Sequence, residues 1–185
     1  MVDILVIGYG NELRGDDGLG PLVAKSVAAA NIPGVRVLSA RQLLPEFAAD
    51  LAQARLVVFV DASEVWRESG IEIQSLVVED ATDWCTHYAD PRTLLALTQA
   101  IYGQAPEAWW LMVSGRNFGI GERLSDMAEE SARQALVCLQ RLIQAKTQHG
   151  LTRQLTVNNA AGRRAKTGAE KSGGPIARPS RLSRV

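Results

Sequence analysis

The chain has 185 residues, a length typical of one domain with an ordinary hydrophobic core. Its composition, 46% hydrophobic and 22% charged, is that of a water-soluble globular protein, and no apolar run approaches the roughly 20 residues of a membrane span. The net charge is zero, but residues 151–185 carry eight Lys or Arg and one Glu, so the rest of the chain is acidic.

The first element is predicted to be a strand, a polar turn and a helix. Residues 4–7 form an apolar, β-branched run, the pattern of a strand buried on both faces. The turn that follows contains four glycines, Gly8, Gly10, Gly15 and Gly18. Apolar residues then resume at helical spacing over residues 19–30. Such a turn lies at the carboxyl end of a parallel strand, where open α/β sheets bind their ligands.

The turn does not match a dinucleotide site, and we expect no nucleotide. A G-x-G-x-x-G fingerprint needs a third glycine where Leu13 stands, and two carboxylates, Asp16 and Asp17, lie where a pyrophosphate would have to sit. Because these carboxylates compete with phosphate at the helix N-terminus, they leave a site better suited to a cation. The alternative is that the two acids only cap the helix.

The remaining apolar runs predict strands that alternate with helices. The predicted strands are residues 35–38, 55–60, 70–79 and 108–114, and the predicted helices are residues 45–54, 91–102 and 125–148. This order predicts an α/β fold: a three-layer sandwich with a mostly parallel five-stranded sheet flanked by helices.

The expected topology places three carboxylates at one crevice. We expect the second strand on one side of the first and the third strand on the other, which makes the gap between strands one and three the switch point. Asp61 ends the third strand, so it lies near Asp16 and Asp17. Asp61 alone is explained by capping of the turn that follows it. The convergence of the three acids favours a functional site.

Other reactive residues give weaker signals. His87 lies in a polar loop, residues 80–92, and a lone loop histidine is more often exposed than catalytic. Cys85 and Cys138 are too far apart in sequence for a CxxC metal or redox pair. No Ser/His/Asp or Cys/His nucleophile arrangement is convincing, which disfavours an acyl-enzyme.

The chain is predicted to divide into an α/β domain, residues 1–149, and a basic tail, residues 150–185. Apolar periodicity ends at Gly150, and the composition beyond it predicts disorder. The positive charge of the tail, without aromatic residues or a fold, is a weak signal, so no nucleic-acid partner is expected. The absence of a membrane span and of a signal-peptide pattern predicts a cytoplasmic protein with no membrane partner.

Several short motifs resemble one protein family when they are taken together. GYGNEL at residues 8–13 is followed by DDG at 16–18, VDA at 60–62, TH at 86–87 and LS at 124–125. In order and spacing this series resembles the hydrogenase maturation proteases, which trim a C-terminal extension from the large subunit of nickel-iron hydrogenases. The resemblance covers about residues 3–145, which makes it more specific than any single motif.

The resemblance implies an endopeptidase that acts on the precursor of a nickel-iron hydrogenase large subunit after nickel insertion, as a cytoplasmic monomer. It implies that Asp17, Asp61 and His87 contact the nickel, which the precursor supplies. Asp16 would position the loop or assist a water, so that all four residues are predicted to be catalytic. Oxygen and imidazole ligands suit nickel or zinc. Glu46 resembles a further family position near the crevice, or is a first-turn helix acid.

Two other functions remain open at this point. The chain is alternatively a non-catalytic assembly factor that binds the nickel-loaded precursor without cleaving it. A third possibility is a general metal-dependent hydrolase that uses the same crevice. We expect selectivity to come from the loops at residues 84–92 and 116–122.

Overall fold

The computed structural model describes residues 2–78, 90–121 and 123–167, and within these ranges the side chains of residues 3–147. The strands are β1 (Val2–Tyr9), β2 (Val35–Ala40), β3 (Ala54–Ser63), β4 (Ile71–Leu76) and β5 (Glu107–Ser114). The helices are α1 (Leu19–Ala29), α2 (Ala48–Leu51), α3 (Pro91–Tyr102) and α4 (Asp126–Thr167). The predicted helix 45–54 is thus divided into a 3-10 turn, Pro45–Phe47, and the short α2.

The five strands form one sheet in the order β2-β1-β3-β5-β4. β1, β2, β3 and β5 are parallel, and β4 pairs antiparallel with β5 at the edge. The predicted placement of the second and third strands on opposite sides of the first is confirmed. The switch point therefore lies between the carboxyl ends of β1 and β3.

Helices cover both faces of the sheet, so the predicted three-layer α/β sandwich is confirmed. On one face, α1 and α4 pack against the sheet through a core whose helical residues are Leu19, Val23, Val27, Ala128, Ala132, Ala135, Leu139 and Ile143. On the other face, α2 and α3 contribute Ala48, Leu51, Leu94 and Leu95. Because β3 has a strand on either side and helices above and below, its residues 56–60 are all buried and uniformly apolar.

Two glycines allow α1 to approach β1 closely. A Cβ on Gly8 would meet the backbone oxygen of Gly20, and it would lie 2.6 Å from the Cβ of Ala24. A Cβ on Gly20 would in turn lie 2.6 Å from the carbonyl oxygen of Val60. The start of α1, and with it the acidic turn that precedes it, is therefore held directly against the ends of β1 and β3.

The last helix is longer than the sequence pattern predicted. The chain forms two compact units, Met1–Ile143 and Gln144–Val185, and α4 continues to Thr167 instead of ending near residue 148. The predicted end near residue 148 is thus wrong. The disorder predicted from residue 150 stays a prediction, and residues 168–185 lie outside the described residues. Between residues 149 and 167 there is no proline. Gly150 and Gly162 each cost about 1 kcal/mol in a helix, but a nucleated helix extends through the Ala, Leu, Gln, Arg and Lys residues of this stretch at little cost. None of the described helices is long and apolar enough to cross a membrane.

Candidate active site

The turn between β1 and α1 is shaped by backbone geometry and by Asp17. Gly10 has a φ of +140°, a value that residues with a side chain rarely adopt, and a Cβ there would meet the backbone oxygen of Asp17. The backbone N–H of Asn11 donates to a carboxylate oxygen of Asp17 at 2.9 Å. Asp17 itself is only partly buried. One of its oxygens is thus held by the turn while the side chain remains accessible.

Asp16 points the other way and is fully buried. Its Oδ2 accepts from the backbone N–H groups of Arg116 and Asn117 at 2.7 and 2.8 Å and from the Ser125 hydroxyl at 2.8 Å. Its Oδ1 accepts from the backbone N–H of Ser125 at 2.7 Å. Burial alone would raise the pKa of Asp16, but these donors outweigh it and hold the pKa below its usual range. Asp16 therefore connects the turn before α1 with two other segments, the loop after β5 and the start of α4.

Asp16 was predicted either to position the loop or to assist a water. The geometry fits the first of these roles. Gly115 makes the contact possible, because a Cβ at this residue would lie 2.7 Å from the Cβ of Asp16. The side chain does not cap α1, whose N-cap residue is Gly18 and has no side-chain capping bond. The same Ser125 hydroxyl that donates to Asp16 accepts from the Ala128 N–H at 3.2 Å, which agrees with its predicted place at the start of the last helix.

Asp17 and Asp61 are brought together as the topology predicted. Asp61 lies near the end of β3 and is largely buried, and its pKa is raised to about 6. Burial is the main cause; the Tyr9 hydroxyl and the Ala62 backbone N–H work against it, and the charge of Asp17 adds to it. Within the described part of the chain, neither carboxylate forms an ion pair with a Lys or Arg. The pair is a patch of uncompensated negative charge that a cation would relieve.

A layer of polar aromatic groups lies behind Asp61. Tyr9 ends β1 and is only 5% exposed. Its hydroxyl and the indole Nε1 of Trp110 are both buried, and neither has a hydrogen-bond partner in good geometry among the described residues. The Arg92 guanidinium lies 5.3 Å above the Trp110 ring, and Asp90 caps α3 by accepting from the Arg92 N–H at 2.8 Å. Trp110 packs against the core on the side of α2 and α3.

A groove opens beside the loop that Asp16 holds. It has a volume of about 710 Å³ and is lined by Glu64, Trp66, Gly115, Arg116, Phe118, Gly119 and Met127. Trp66 is 55% exposed, and its neighbour Val65 is exposed as well. The groove thus combines apolar walls with one acidic and one basic side chain at the same end of the sheet as Asp17 and Asp61.

Two further residues were predicted near this crevice, His87 and Glu46. His87 lies outside the described residues, so its role as third ligand stays a prediction. Glu46 is exposed in the 3-10 turn before α2. Among the described residues, no group of three or more His, Cys, Asp and Glu side chains is placed to hold a metal ion. The described site is therefore a carboxylate pair.

Fold and site together define a class: a three-layer α/β protein with two acids at the switch point of its parallel sheet. No protein-family model matches the sequence, and no curated protein matches it. Solved structures do match. The [NiFe] hydrogenase maturation protease HycI from Thermococcus kodakarensis is 26% identical, with a TM-score of 0.58 over 74% of this chain and 90% of that one.

Two further structures support the fold. The hydrogenase maturating endopeptidase HybD from E. coli is 18% identical, with a TM-score of 0.60 over 77% of this chain and 93% of that one. The hydrogenase 2 maturation peptidase from a Thaumarchaeota archaeon is 21% identical, with a TM-score of 0.55 over 76% and 97%. The match to HycI confirms the resemblance to the hydrogenase maturation proteases, and with it the predicted enzyme class, a hydrolase of peptide bonds.

The sequence did not predict that the buried aromatic side chains of Tyr9 and Trp110 lie near Asp61. The GYGNEL motif includes Tyr9, but its pattern gives the tyrosine no role of its own. The available signal was a tyrosine in the last position of a buried strand, where its hydroxyl reaches the ligand end of the sheet. The partners of Asp16 were beyond such reasoning, because they lie 100 to 109 positions away in the chain.

Proposed function

We propose that this chain removes the C-terminal extension of a nickel-iron hydrogenase large-subunit precursor after nickel insertion, and that it recognises the nickel held by that precursor. It would act as a cytoplasmic monomer, without a nucleotide. The observation that carries the proposal is the placement of Asp17 and Asp61 at the ends of neighbouring parallel strands, in a chain whose fold is that of the maturation proteases.

The two carboxylates fit a metal ion that is part of the substrate. Oxygen ligands with a histidine suit nickel(II). A pair of carboxylates is too few to hold a metal permanently, but it can occupy open positions on a metal that the precursor already holds. Because both carboxylates are negatively charged when ionised, the pair would attract the positively charged metal of the precursor. A metal in contact with the scissile region would polarise a carbonyl group or bind the attacking water.

The neighbouring groove supports recognition of a polypeptide. Its volume of about 710 Å³ falls in the range of ligand-binding clefts. The exposed Trp66 and the partly buried Phe118 offer apolar contacts to an extended segment, while Arg116 and Glu64 offer one charge of each sign. We propose that the precursor chain near the cleavage point lies in this groove.

The test is a cleavage assay on large-subunit precursors, with and without nickel, followed by mass spectrometry of the product. We expect a short C-terminal peptide to be lost from the nickel-loaded precursor alone. Binding without any change of mass would favour the assembly factor, and turnover of small peptides without a precursor would favour the general hydrolase.

Substitution of Asp17 tests whether this residue takes part in processing. Asp17→Asn removes one charge from the pair while the amide can still accept from the Asn11 N–H. We expect processing to be lost. The matched control is Glu12→Gln in the same turn, which removes an exposed acid paired with Lys25 and leaves the carboxylate pair intact. Unchanged processing in Asp17→Asn would remove this residue from the mechanism.

A further inference from the structure

Tyr9 carries a buried hydroxyl that the proposed chemistry has not used. The side chain is 95% buried, and its hydroxyl finds no hydrogen-bond partner in good geometry among the described residues. A buried polar group without a partner costs about 1–3 kcal/mol. Phenylalanine would fill the same space without that cost. The hydroxyl therefore calls for an explanation other than packing.

The register of the sheet places Tyr9 beside Asp61. Ile7 of β1 lies opposite Phe59 of β3, and both are fully buried on the side of α2 and α3. Two residues further along each strand, side chains return to the same face, so that Tyr9 and Asp61 are neighbours there. The Tyr9 hydroxyl lies close enough to Asp61 to lower the pKa of that carboxyl.

A tyrosine phenol carries its proton at neutral pH and can donate one hydrogen bond. Asp61 is the nearby acceptor among the predicted metal-contacting residues, and its other described donor is the Ala62 N–H.

We propose that Tyr9 is a positioning residue, which donates a hydrogen bond to Asp61 and thereby orients this carboxylate toward the substrate's nickel. The inference rests on the proposed function. It assigns Tyr9 no contact with the substrate; its effect is exerted through Asp61. Residues that orient a metal-binding group in this way commonly change metal affinity or activity by 10- to 100-fold when they are replaced.

Tyr9→Phe tests this role, with Tyr102→Phe as the matched control. Tyr102 ends α3 and is 47% exposed, so its substitution removes a phenol oxygen far from Asp61 in the fold. Three quantities are measured on the full chain: kcat/KM for a nickel-loaded precursor that the wild type cleaves, the Kd for Ni²⁺ from calorimetric titration, and the Tm. For Tyr9→Phe we expect kcat/KM to fall about tenfold or more and Ni²⁺ to bind about tenfold more weakly.

The Tm distinguishes a positioning role from a structural one. Loss of the one hydrogen bond that the hydroxyl donates to Asp61 should lower the Tm by no more than a few degrees, because such a bond contributes about 1 kcal/mol. Unchanged kcat/KM and Ni²⁺ affinity would overturn the inference and leave the proposed function intact. A lowered Tm with unchanged activity at low temperature would also overturn it, because the hydroxyl would then serve only the fold. A wild-type chain that cleaves no precursor would overturn the proposed function, and this inference with it.

Discussion

At the scale of single residues, two adjacent acids have opposite roles. Asp16 is turned inward and accepts four hydrogen bonds from a loop and a helix start that are distant in sequence. Asp17 is turned outward, and its negative charge raises the pKa of Asp61. The sequence pair Asp-Asp predicts a cation site, but only the tertiary structure separates the residue that holds the loop from the residue that remains accessible.

Asp16→Asn is expected to destabilise the fold more than it alters the chemistry. An amide offers a donor where the carboxylate meets only donors, so at least one buried N–H group loses its partner. We expect the free energy of unfolding to fall by about 3 kcal/mol, measured by urea denaturation. At low temperature, the folded fraction should retain cleavage within a fewfold of the wild type.

Ser125→Ala provides the graded comparison for this prediction. It removes one of the four donors to Asp16 and the cap to Ala128, while the Ser125 backbone N–H still donates. A loss of about 1 kcal/mol is expected. If Asp16→Asn were as stable as the wild type but inactive, Asp16 would act on the substrate and not on the loop.

The raised pKa of Asp61 predicts a pH dependence of stability. The unfolded carboxyl titrates near pH 4, and the folded one near 6, so the folded chain binds more protons between these values. The stability contributed by protonated Asp61 is complete below about pH 4 and is lost as the pH rises through about 6. At pH 7 the ionised carboxylate costs up to about 3 kcal/mol.

Asp61→Asn should therefore be more stable than the wild type at pH 7 and equally stable near pH 4, because it carries no charge at either pH. Urea unfolding at the two pH values measures the difference, and the cleavage assay should show loss of processing. A variant less stable than the wild type at pH 7 would contradict the prediction, since it would mean that the charged form is favoured in the folded chain.

At the scale of elements, local signals decided which boundaries the sequence could predict. The predicted helix 91–102 is observed as Pro91–Tyr102, because Asp90 caps it, Pro91 opens it and Gly103 ends it with a left-handed φ of +71°. The apolar run of β3 was equally clear. Near residue 148, α4 has one stop signal, Gly150, but no proline follows it, and the helix continues through this glycine to Thr167. The loss of apolar spacing does not end a helix, because helix formation does not require it.

We expect that a methyl group at Gly8 would disrupt the packing of α1 on β1. A Cβ added there would collide with backbone atoms of Gly20 and with Ala24, and a backbone collision cannot be relieved by a side-chain rotation. We expect Gly8→Ala to cost at least about 3 kcal/mol or to prevent folding. Circular dichroism and urea denaturation measure the loss.

Gly119→Ala is the control for this substitution. A Cβ there would approach only the Asn117 side-chain oxygen, at 3.3 Å, among the described atoms. Its unfolding midpoint should remain close to that of the wild type. Equal midpoints for the two variants would mean that α1 does not pack on β1 as closely as the structure places it.

The groove beside the Asp16-bound loop makes a prediction about substrate binding. Trp66→Ala removes an exposed aromatic side chain, so stability should change little. We expect KM for the precursor to rise about tenfold, the effect of losing about 1.4 kcal/mol of binding, with kcat nearly unchanged. Tyr102→Ala, an exposed aromatic outside the groove lining, should leave both constants unchanged. A fall in kcat with constant KM would place Trp66 in the reaction itself.

At the scale of the whole molecule, the position of the site was predicted from the topology of the sheet. Alternating strands and helices predict a parallel sheet, and a parallel sheet brings the ends of β1 and β3 together, so Asp17 and Asp61 could be paired from sequence. Three features depend on side-chain packing between distant segments. They are the placement of Tyr9 beside Asp61, the hydrogen bonds that Asp16 accepts, and the groove next to the loop after β5. No periodicity or local motif encodes such contacts, which is why the sequence did not predict them.

Deletion of residues 150–185 should separate the charge of the tail from the function of the α/β unit. The last buried core residue among the described side chains is Ile143, so the core should remain complete and the Tm should change by no more than a few degrees. The deletion removes eight Lys or Arg and one Glu and leaves an acidic protein. If the tail only adds positive charge, kcat for precursor cleavage should be unchanged, and any rise in KM should disappear at high salt, where charge interactions are screened.

A large fall in Tm would show instead that the helix beyond residue 149 stabilises the α/β unit. A KM increase that persists at high salt would indicate that the tail contacts the precursor through more than its charge.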